Sequence, residues 1–166
     1  MPRRETATDD GARRMQDGSC VFCRIIDGEE MVSLVHEDER AVAFLDTSPM
    51  SPGHTLVVSR EHYPTLLDMP EDVAAHCIVV AQRIASGVRR ATGAQAINLF
   101  SANGRAGGQD VPHFHLHLIP VREGERFVLD FPVEPDRVPM RSELDVMAAR
   151  IGRAIQQNGL IASPSA

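Results

Sequence analysis

The stretch His113-Phe114-His115-Leu116-His117-Leu118-Ile119 determines how this chain folds. Its three histidines alternate with bulky apolar residues, and this period of two predicts a β-strand because successive side chains of a strand point to opposite faces. The three imidazoles then share one face, spaced about 7 Å apart, while Phe114, Leu116 and Leu118 point into a core. Imidazoles can attack, donate protons or bind metal near neutral pH, so the same strand is a candidate functional site.

The composition indicates one globular domain that contains no lysine. Hydrophobic residues make up 43% of the 166 residues, which suits a single domain with a sizeable core. The formal net charge of −6 argues against nucleic acid or an anionic membrane as a partner. Because every Lys or Arg of the chain is an arginine, a P-loop lysine and a Schiff-base lysine are excluded, and phosphate chemistry would use histidine, arginine or backbone amides.

The termini and the cysteines favour a cytoplasmic protein. Three cysteines do not make a disulfide framework, no stretch approaches the length of a transmembrane helix, and residues 1–19 lack the apolar segment of a secretory signal. Residues 1–19 are rich in charged and small residues, which predicts a disordered N-terminal arm. We expect one folded domain over residues 20–122 and an extension with one helix over residues 123–166.

The patterns along the chain predict an α+β domain. A short helix is expected from Cys20 to Asp27, and the predicted strands are 32–35, 41–45, 55–59, 96–100 and the histidine strand. An N-cap candidate at Asp68, followed by apolar residues at spacings of three and four, predicts a long central helix. These apolar residues are Val73, Cys77, Val80, Ile84 and Val88. Hairpin-like neighbours around one long helix predict a five-stranded, mainly antiparallel sheet.

The extension carries its own helical pattern. Ser142 is the predicted N-cap, with Asp145 as the capping-box acid three residues later. The apolar stripe of this C-terminal helix consists of Leu144, Met147, Ile151 and Ile155, and Asn158-Gly159 is its predicted end.

These motifs resemble those of the histidine triad (HIT) family of nucleotidyl hydrolases and transferases. The histidine strand matches the family signature His-φ-His-φ-His-φ-φ, where φ is apolar. Gly107-Gly108-Gln109 resembles the family's phosphate loop, 44–46 and 52–58 resemble its ribose-binding turn and the following strand, and 20–26 resembles its N-terminal segment. The resemblance spans about residues 20–120 and implies a HIT domain over 20–122.

The resemblance implies roles for three histidines. His115 would attack the α-phosphorus of a nucleotide and form a covalent phosphoramidate, which water would hydrolyse in a second step. His117 would contact the phosphate and the leaving group and could supply a proton to the leaving atom. His54 would hold the imidazoles of this network in place.

The resemblance also implies a nucleotide pocket. Asp46 would accept hydrogen bonds from the ribose hydroxyls. The predicted phosphate contacts are Asn103, Gly107, Gly108 and Gln109, and the predicted wall of the base pocket consists of Phe22, Ile25 and Phe44. Asp110 is a departure, because some family members carry Ser or Thr there and a carboxylate would repel a polyphosphate.

The Cys20-x-x-Cys23 spacing is that of half a zinc site. By resemblance to family members that combine such a pair with two histidines, His62 and His113 would complete a structural Cys₂His₂ zinc site, which has no open position for water. His113 would then be a ligand and not part of a proton relay. The alternative is two reduced thiols in a packed helix. Cys77 is predicted to be a core residue. His36 and His76 are predicted to be surface or packing residues.

The leading function is therefore hydrolysis or transfer at the α-phosphate of nucleoside phosphoramidates or dinucleoside polyphosphates. One alternative is a nucleotide-binding adaptor or signalling module with little catalysis. Another is a metallohydrolase that uses the histidine row itself as a zinc site. The resemblance implies a purine nucleotide substrate and a homodimer, and no organic cofactor, nucleic-acid partner or membrane partner is expected.

Overall fold

The computed structural model describes residues 20–125 and 138–157, which form an α+β fold. Its helices are α1 (Val21–Ile26), α2 (Glu71–Thr92) and α3 (Arg141–Gln156), and its strands are β1 (Leu34–Glu37), β2 (Ala41–Leu45), β3 (Thr55–Ser59), β4 (Ala96–Phe100) and β5 (His115–Val121). The strands form one antiparallel sheet in the order β1-β2-β3-β5-β4. The predicted fold class is confirmed. Within the described ranges no helix has both the length and the apolar character needed to cross a membrane.

The two faces of the sheet are covered by different helices. On one face, α2 and α3 bury a large core that includes Phe114, Leu116 and Leu118, as the alternation predicts. On the opposite face, α1 packs against Phe44 and its neighbours in a smaller apolar cluster. Because side chains alternate along a strand, the even-numbered apolar residues of β5 face the larger core, and His115 and His117 face the side that carries α1.

Strand β5 begins two residues later than the histidine pattern predicts. The backbone N–H of His113 donates to the carbonyl of Val111 at 2.8 Å, and that of Phe114 donates to the carbonyl of Tyr63 at 2.6 Å. Residues 111–113 therefore form a tight turn before the ladder starts at His115. The predicted strand over 113–119 was wrong at this end, and His113 has a surrounding different from that of the other two histidines.

The β1–β2 hairpin also differs from the prediction. Strand β1 begins at Leu34 and not at residue 32, and it continues to Glu37. The strand reaches Glu37 because the turn that follows is short. Asp38 Oδ1 accepts hydrogen bonds from the backbone N–H groups of Arg40 and Ala41, both at 2.9 Å. The chain can thus reverse within fewer residues than the polar composition indicates.

The predicted N-cap of α3 was wrong. The helix begins at Arg141, and the carboxylate of Glu143 accepts a hydrogen bond from the Met140 backbone N–H at 2.8 Å. Ser142 lies inside the helix, and Asp145 instead accepts a hydrogen bond from the Ser33 hydroxyl at 2.6 Å. The acid that closes the first turn is therefore one residue after the predicted cap, and the predicted capping acid ties α3 to the segment before β1.

Helix α2 begins at Glu71, and Asp68 does not cap it. Asp68 ends a separate 3₁₀ turn, where its carboxylate accepts a hydrogen bond from the Thr65 backbone N–H at 2.9 Å. The acidic first turn and the end before Gly93 are as predicted. The arm over 1–19, most of the connection over 123–140 and the predicted stop at Asn158-Gly159 lie outside the described residues.

The C-terminal helix is part of the main core. Leu144, Ile151 and Ile155 are buried together with the residues of α2. The two helices are in tight contact at Gly87 of α2, where an added Cβ would lie 2.3 Å from Cγ1 of Ile155. The extension thus stabilises the sheet-and-helix core directly.

This close approach makes opposite predictions for two helical glycines. Gly87→Ala should lower the free energy of unfolding by about 1–3 kcal/mol because it overpacks the contact with α3. Gly152→Ala should raise that free energy by about 0.5–1 kcal/mol, since helix propensity improves and no described atom lies within 4 Å of the new methyl group. Urea denaturation of both variants tests this, and equal effects of the same sign would refute the docking of α3 at Gly87.

Candidate active site and metal centre

A cavity of about 450 Å³ lies between α1 and the sheet, on the face that carries His115 and His117. Its apolar lining includes Val21, Phe22, Ile25, Phe44 and Leu56. Its polar lining includes Asp46, Ser48, His54, Asp110, His115 and His117. An apolar pocket with a few convergent polar groups is typical of a small-molecule site.

His115 is held with one ring nitrogen directed away from the backbone. Its Nδ1 lies 2.7 Å from the carbonyl oxygen of His113, so Nδ1–H donates and Nε2 keeps its lone pair. The Phe22 ring packs edge-on at a centroid distance of 5.2 Å. Burial lowers the pKa of His115, although the bond to His113 and the carboxylates of Asp46 and Asp110 act in the opposite direction. A neutral, oriented imidazole is what a histidine nucleophile requires.

His54 and His117 form a hydrogen-bonded pair beside it. The Met50 backbone N–H points at His54 Nδ1 at 3.2 Å, so this nitrogen accepts and His54 Nε2 carries the hydrogen. Nε2–H then donates to His117 Nδ1 at 2.9 Å. His117 consequently carries its own hydrogen on Nε2, and its ring lies 4.8 Å from that of His115 between centroids.

The loop between β2 and β3 holds His54 in a buried position. Asp46 Oδ1 accepts a hydrogen bond from the Ser48 N–H at 2.8 Å, and Asp46 Oδ2 lies 3.5 Å from His54 Nδ1. Gly53 takes φ of +94°, and an added Cβ there would lie 2.5 Å from Thr92 Cγ2. Glycine at this position therefore lets the loop approach the end of α2, and His54 is 2% exposed as a result.

Burial keeps both partners of the pair uncharged. It lowers the pKa of His54 to about 4, with a smaller contribution from His115. It also lowers the pKa of His117 to about 3, again aided by the neighbouring imidazoles and opposed by Asp46. In the absence of an anion, the pair thus holds two hydrogens and no net charge at neutral pH.

The depressed pKa of His54 predicts a pH dependence of stability. Below the ordinary imidazole pKa of 6.5 the unfolded chain binds a proton that the folded chain refuses until about pH 4, so the free energy of unfolding falls as the pH falls through this interval. His54→Asn should reduce that slope by up to about 1.4 kcal/mol per pH unit. Urea titrations between pH 4.5 and 7 measure the slope, and identical slopes for the variant and the wild type would contradict the assignment.

The predicted phosphate contacts divide into two groups. Gly108 lines the cavity, whereas Asn103, Gly107 and Gln109 are not among the lining residues. The Gln109 amide is used by backbone groups: its Oε1 accepts from the Gly104 N–H at 2.6 Å and its Nε2 donates to the Pro64 carbonyl at 2.7 Å. The side chain of Gln109 therefore joins its own loop to the segment after β3.

Asn103 is also bonded to neighbouring backbone. Its Oδ1 accepts from the Leu66 N–H at 2.7 Å, and its Nδ2 donates to the Ser101 carbonyl at 3.3 Å. The N–H groups of Gly107 and Gly108 donate to carbonyls of the same 3₁₀ turn. The backbone N–H groups of Asp110 and Val111, two residues that line the cavity, have no acceptor in the described part of the chain.

Phe22, Ile25, Phe44 and Asp46 line the cavity as the resemblance implies. Sequence reasoning missed Val21, Met31, Val32, Met50 and Val111, which line it as well. The short span of α1 was the available signal for Val21, because a helix of six residues that presents Phe22 and Ile25 to a pocket also brings Val21 to it.

A second group of side chains lies on the other side of Phe22. Cys20, Cys23, His62 and His113 offer ligand atoms that all lie within 4.8 Å of one another. Cys20 Sγ and Cys23 Sγ are 3.4 and 3.6 Å from His113 Nδ1, and Cys23 Sγ is 3.3 Å from His62 Nδ1. A tetrahedral zinc with two thiolates and two imidazoles separates such S and N atoms by about 3.6 Å.

The His113 ring is oriented for such a role. Its Nε2–H donates to the Ser59 carbonyl at 2.8 Å, so Nδ1 presents its lone pair to the two cysteines. A backbone partner on the far nitrogen is the usual second contact of a metal-bound imidazole. The donor set, the spacing and the ring orientation all fit a closed zinc site.

His36 and His76 lie outside the cavity and share a partner that the sequence did not reveal. Their Nε2 atoms are 3.1 and 3.0 Å from Asp38 Oδ2. Burial raises the pKa of Asp38, but hydrogen bonds from the backbone of Arg40 and Ala41 and from the two imidazoles outweigh it and lower the pKa to about 2. This cluster links the β1–β2 turn to α2.

Comparison with known proteins agrees with this geometry. The HIT domain family profile matches residues 27–124. An adenylylsulfatase of Arabidopsis thaliana is 41% identical over 104 residues, which are 63% of this chain and 53% of that protein. An adenosine 5′-monophosphoramidase of Saccharomyces cerevisiae is 33% identical over 118 residues, 71% of this chain and 72% of that protein.

A solved structure is similar over most of the chain. The zinc-bound histidine triad family protein of Mycobacterium smegmatis superposes with a TM-score of 0.74 and 34% identity, covering 85% of this chain and 96% of that one. The five-stranded antiparallel sheet with its helices is thus the fold of this class of protein. The chain belongs to the histidine triad (HIT) family.

Proposed function

We propose that this protein is a nucleotidyl hydrolase or transferase that cleaves at the α-phosphate through a covalent nucleotidyl-His115 intermediate. The observation that carries the proposal is the hydrogen bond from His115 Nδ1–H to the His113 carbonyl, because it leaves Nε2 free at the cavity. Family membership and the named activities of two relatives, an adenylylsulfatase and a phosphoramidase, support the same class of reaction.

In the first step, His115 Nε2 attacks the α-phosphorus and a P–N or P–O bond to the leaving group breaks. The bond electrons stay on the departing atom. The phosphate anion raises the proton affinity of the neighbouring imidazoles, so the His54–His117 pair takes up one proton with the substrate. The proton taken up lies on His54 Nδ1, beside the Asp46 carboxylate, and the shared hydrogen moves from His54 Nε2 to His117 Nδ1. His117 then delivers the hydrogen on its Nε2 to the departing nitrogen, which leaves each of the two imidazoles neutral with its hydrogen on Nδ1.

In the second step, water attacks the same phosphorus from the side the leaving group has vacated. His117 Nε2, now without its hydrogen, accepts the proton of the attacking water. The P–Nε2 bond breaks, and its electrons return to His115, which recovers the neutral form with hydrogen on Nδ1. The nucleoside monophosphate leaves, and the extra proton of the pair is released with it.

The cavity suits a purine nucleotide. We propose that Phe22, Ile25 and Phe44 contact the base, that Asp46 accepts from the ribose hydroxyls, and that the loop at Gly108 lies at the phosphate. The two candidate substrate classes are nucleoside phosphoramidates and dinucleoside polyphosphates. The orientation of the His117 Nε2–H favours a leaving group that needs a proton, as an amine does.

Rapid-mixing kinetics with adenosine 5′-phosphoramidate test the proposal. Hydrolysis should begin with a burst of released ammonia close to one per active site if the nucleotidyl intermediate accumulates, followed by steady turnover. The competing adaptor function predicts tight nucleotide binding in calorimetry with neither burst nor turnover on either substrate class, and that outcome would overturn the proposal.

We further propose that Cys20, Cys23, His62 and His113 bind one structural zinc. When bound, the metal supplies a cross-link from the N-terminal end of α1 to the segments that follow β3 and precede β5, and no open coordination position. Support comes from the fit of the four donors and from the zinc-bound relative. In this arrangement His113 holds the metal through its ring and orients His115 through its carbonyl, so His113 is not part of the proton relay.

One observation favours the metallohydrolase alternative: Asp46, His54 and His117 also offer ligand atoms within 4.8 Å of one another. The three signature histidines do not form one group: His113 lies with Cys20, Cys23 and His62, whereas His117 lies with Asp46 and His54. Metal analysis after dialysis separates the two functions. We expect one zinc per chain, unaffected by His117→Ala; two zinc ions per chain, one of them lost in that variant, would favour the metallohydrolase.

We propose a homodimer in which the β4 edges pair. Strand β4 is at the end of the sheet, and Leu99 on it is 52% exposed. Light scattering should give about twice the chain mass of 18.2 kDa, whereas the mass of one chain would refute the dimer. No disulfide joins Cys20, Cys23 and Cys77 among the described residues, which agrees with the proposed cytoplasmic location.

A further inference from the structure

The charge of the cavity is unusual for a site that would bind a polyanion. Three carboxylates line it, those of Glu30, Asp46 and Asp110, and no arginine lines it in the part of the chain that the structure describes. The imidazoles of His54 and His117 are neutral in the free protein. A nucleotide phosphate therefore enters a cavity whose fixed side-chain charges are all negative.

Two of these three carboxylates have partners. Glu30 forms a salt bridge with Arg24 at 3.2 Å. Asp46 accepts the Ser48 N–H and lies beside His54. Asp110 is different: it is exposed, and over residues 20–125 and 138–157 no arginine or histidine forms a salt bridge with it. Its charge is thus available to whatever occupies the cavity.

Asp110 also lies where the reaction takes place. It follows the 3₁₀ turn Arg105–Gly107 and lines the same cavity as Val111 and His115. The backbone N–H groups of Asp110 and Val111 have no acceptor among the described residues, so they are available to a phosphate oxygen in the cavity. The same residue thus brings an amide that attracts the phosphate and a carboxylate that repels further negative charge.

Resting on the proposed function, we propose that Asp110 is a specificity-determining residue that selects nucleoside phosphoramidates whose leaving amine carries a further positive charge. A cation on the leaving group would pair with Asp110 while the amine departs. A pyrophosphate or longer leaving group would bring two or more negative charges next to the same carboxylate.

The bond-breaking chemistry of an amine leaving group is compatible with this selection. When His115 Nε2 attacks, the P–N bond breaks and the amine nitrogen keeps the bond electrons and accepts the His117 proton. The positive charge elsewhere on the amine takes no part in bond breaking, so it changes recognition and not the chemical step. One like-charge or opposite-charge pair at a part-exposed site changes binding by about tenfold to a hundredfold.

Three matched substrates test the proposal. Adenosine 5′-phosphoramidates of 1,4-diaminobutane, butylamine and 4-aminobutyrate have similar chains that end in a cation, a methyl group and an anion. We expect kcat/KM to fall in that order, with about tenfold to a hundredfold between the first and the last. Asp110→Asn should reduce this ratio by about tenfold. Glu39→Gln is the control, because it removes one exposed charge from the β1–β2 turn, outside the cavity, and should leave the ratio unchanged.

The outcomes separate this inference from the proposed function. If all three substrates adenylylate His115 but Asp110→Asn leaves their ratio unchanged, the selection by Asp110 is refuted while the proposed function stands. If none of them adenylylates His115, the proposed function itself fails. Diadenosine tetraphosphate with Mg²⁺ is the fourth substrate: a kcat/KM above that of the cationic phosphoramidate, lost in Asp110→Asn, would mean that Asp110 binds a polyphosphate-bound cation and would overturn the proposal.

Discussion

Replacing His115 with alanine is expected to lower kcat/KM for an adenosine phosphoramidate by about 10⁴-fold or more. The substitution removes the only imidazole nitrogen that the described cavity presents with a free lone pair next to a proton donor. The remaining His54–His117 pair can still bind the phosphate, so AMP affinity measured by calorimetry should change far less than turnover.

His76→Ala is the matched control for this variant. It makes the same change of residue at a histidine that contacts Asp38 outside the cavity, and its activity should remain that of the wild type at temperatures where it is folded. Circular dichroism checks that both variants keep their secondary structure. Turnover of His115→Ala within tenfold of the wild type would contradict a nucleophilic role.

If the four-residue group binds zinc as proposed, replacing Cys20 with alanine is expected to release that zinc and to lower the free energy of unfolding by about 3 kcal/mol or more. The loss has two structural consequences. Helix α1 loses its tether to His113, and with it Val21, Phe22 and Ile25 lose the position that makes them the apolar wall of the cavity. AMP affinity should therefore fall about tenfold, although no ligand of the nucleotide has been changed.

Cys77→Ala provides the matched control, because Cys77 is fully buried in the α2 core and far from the metal group. Its unfolding free energy should fall by about 1 kcal/mol from the lost sulfur volume, with one zinc per chain retained. Metal content by mass spectrometry and urea denaturation measure both effects. A Cys20→Ala variant with unchanged zinc content and stability would contradict the four-residue site.

The main features of the fold could be predicted because they depend on strong local patterns. The alternating apolar residues around β5 and the apolar stripe on α2 each mark the face of an element that is buried. Both sets of residues lie in the larger core, as predicted. The spacing of Cys20 and Cys23 alone likewise indicated half of a metal site. What joins it to His62 and His113 is contact across 39 and 90 residues of sequence, which only the resemblance could anticipate.

Other features depend on competition between partners that no local pattern reveals. Asn103 and Gln109 have amides suited to a phosphate, but backbone groups of their own loop and of the segment after β3 bind those amides. Ser142 is a good N-cap residue, yet Glu143 closes the first turn of α3, and the helix begins two residues earlier than predicted. His36 and His76 have no common spacing, and they meet only because Asp38 lies at a hairpin turn that packs against α2.

The most direct test of the central claim is to locate the covalent intermediate. The protein is mixed with excess adenosine 5′-phosphoramidate, quenched within one turnover under alkaline conditions that preserve phosphoramidates, digested and mapped by mass spectrometry. The account predicts an adenylyl group on the peptide that contains His115, localised to that residue and missing in His115→Ala. An adenylyl group on a different residue, or product formation with no covalent adduct at any quench time, would contradict it.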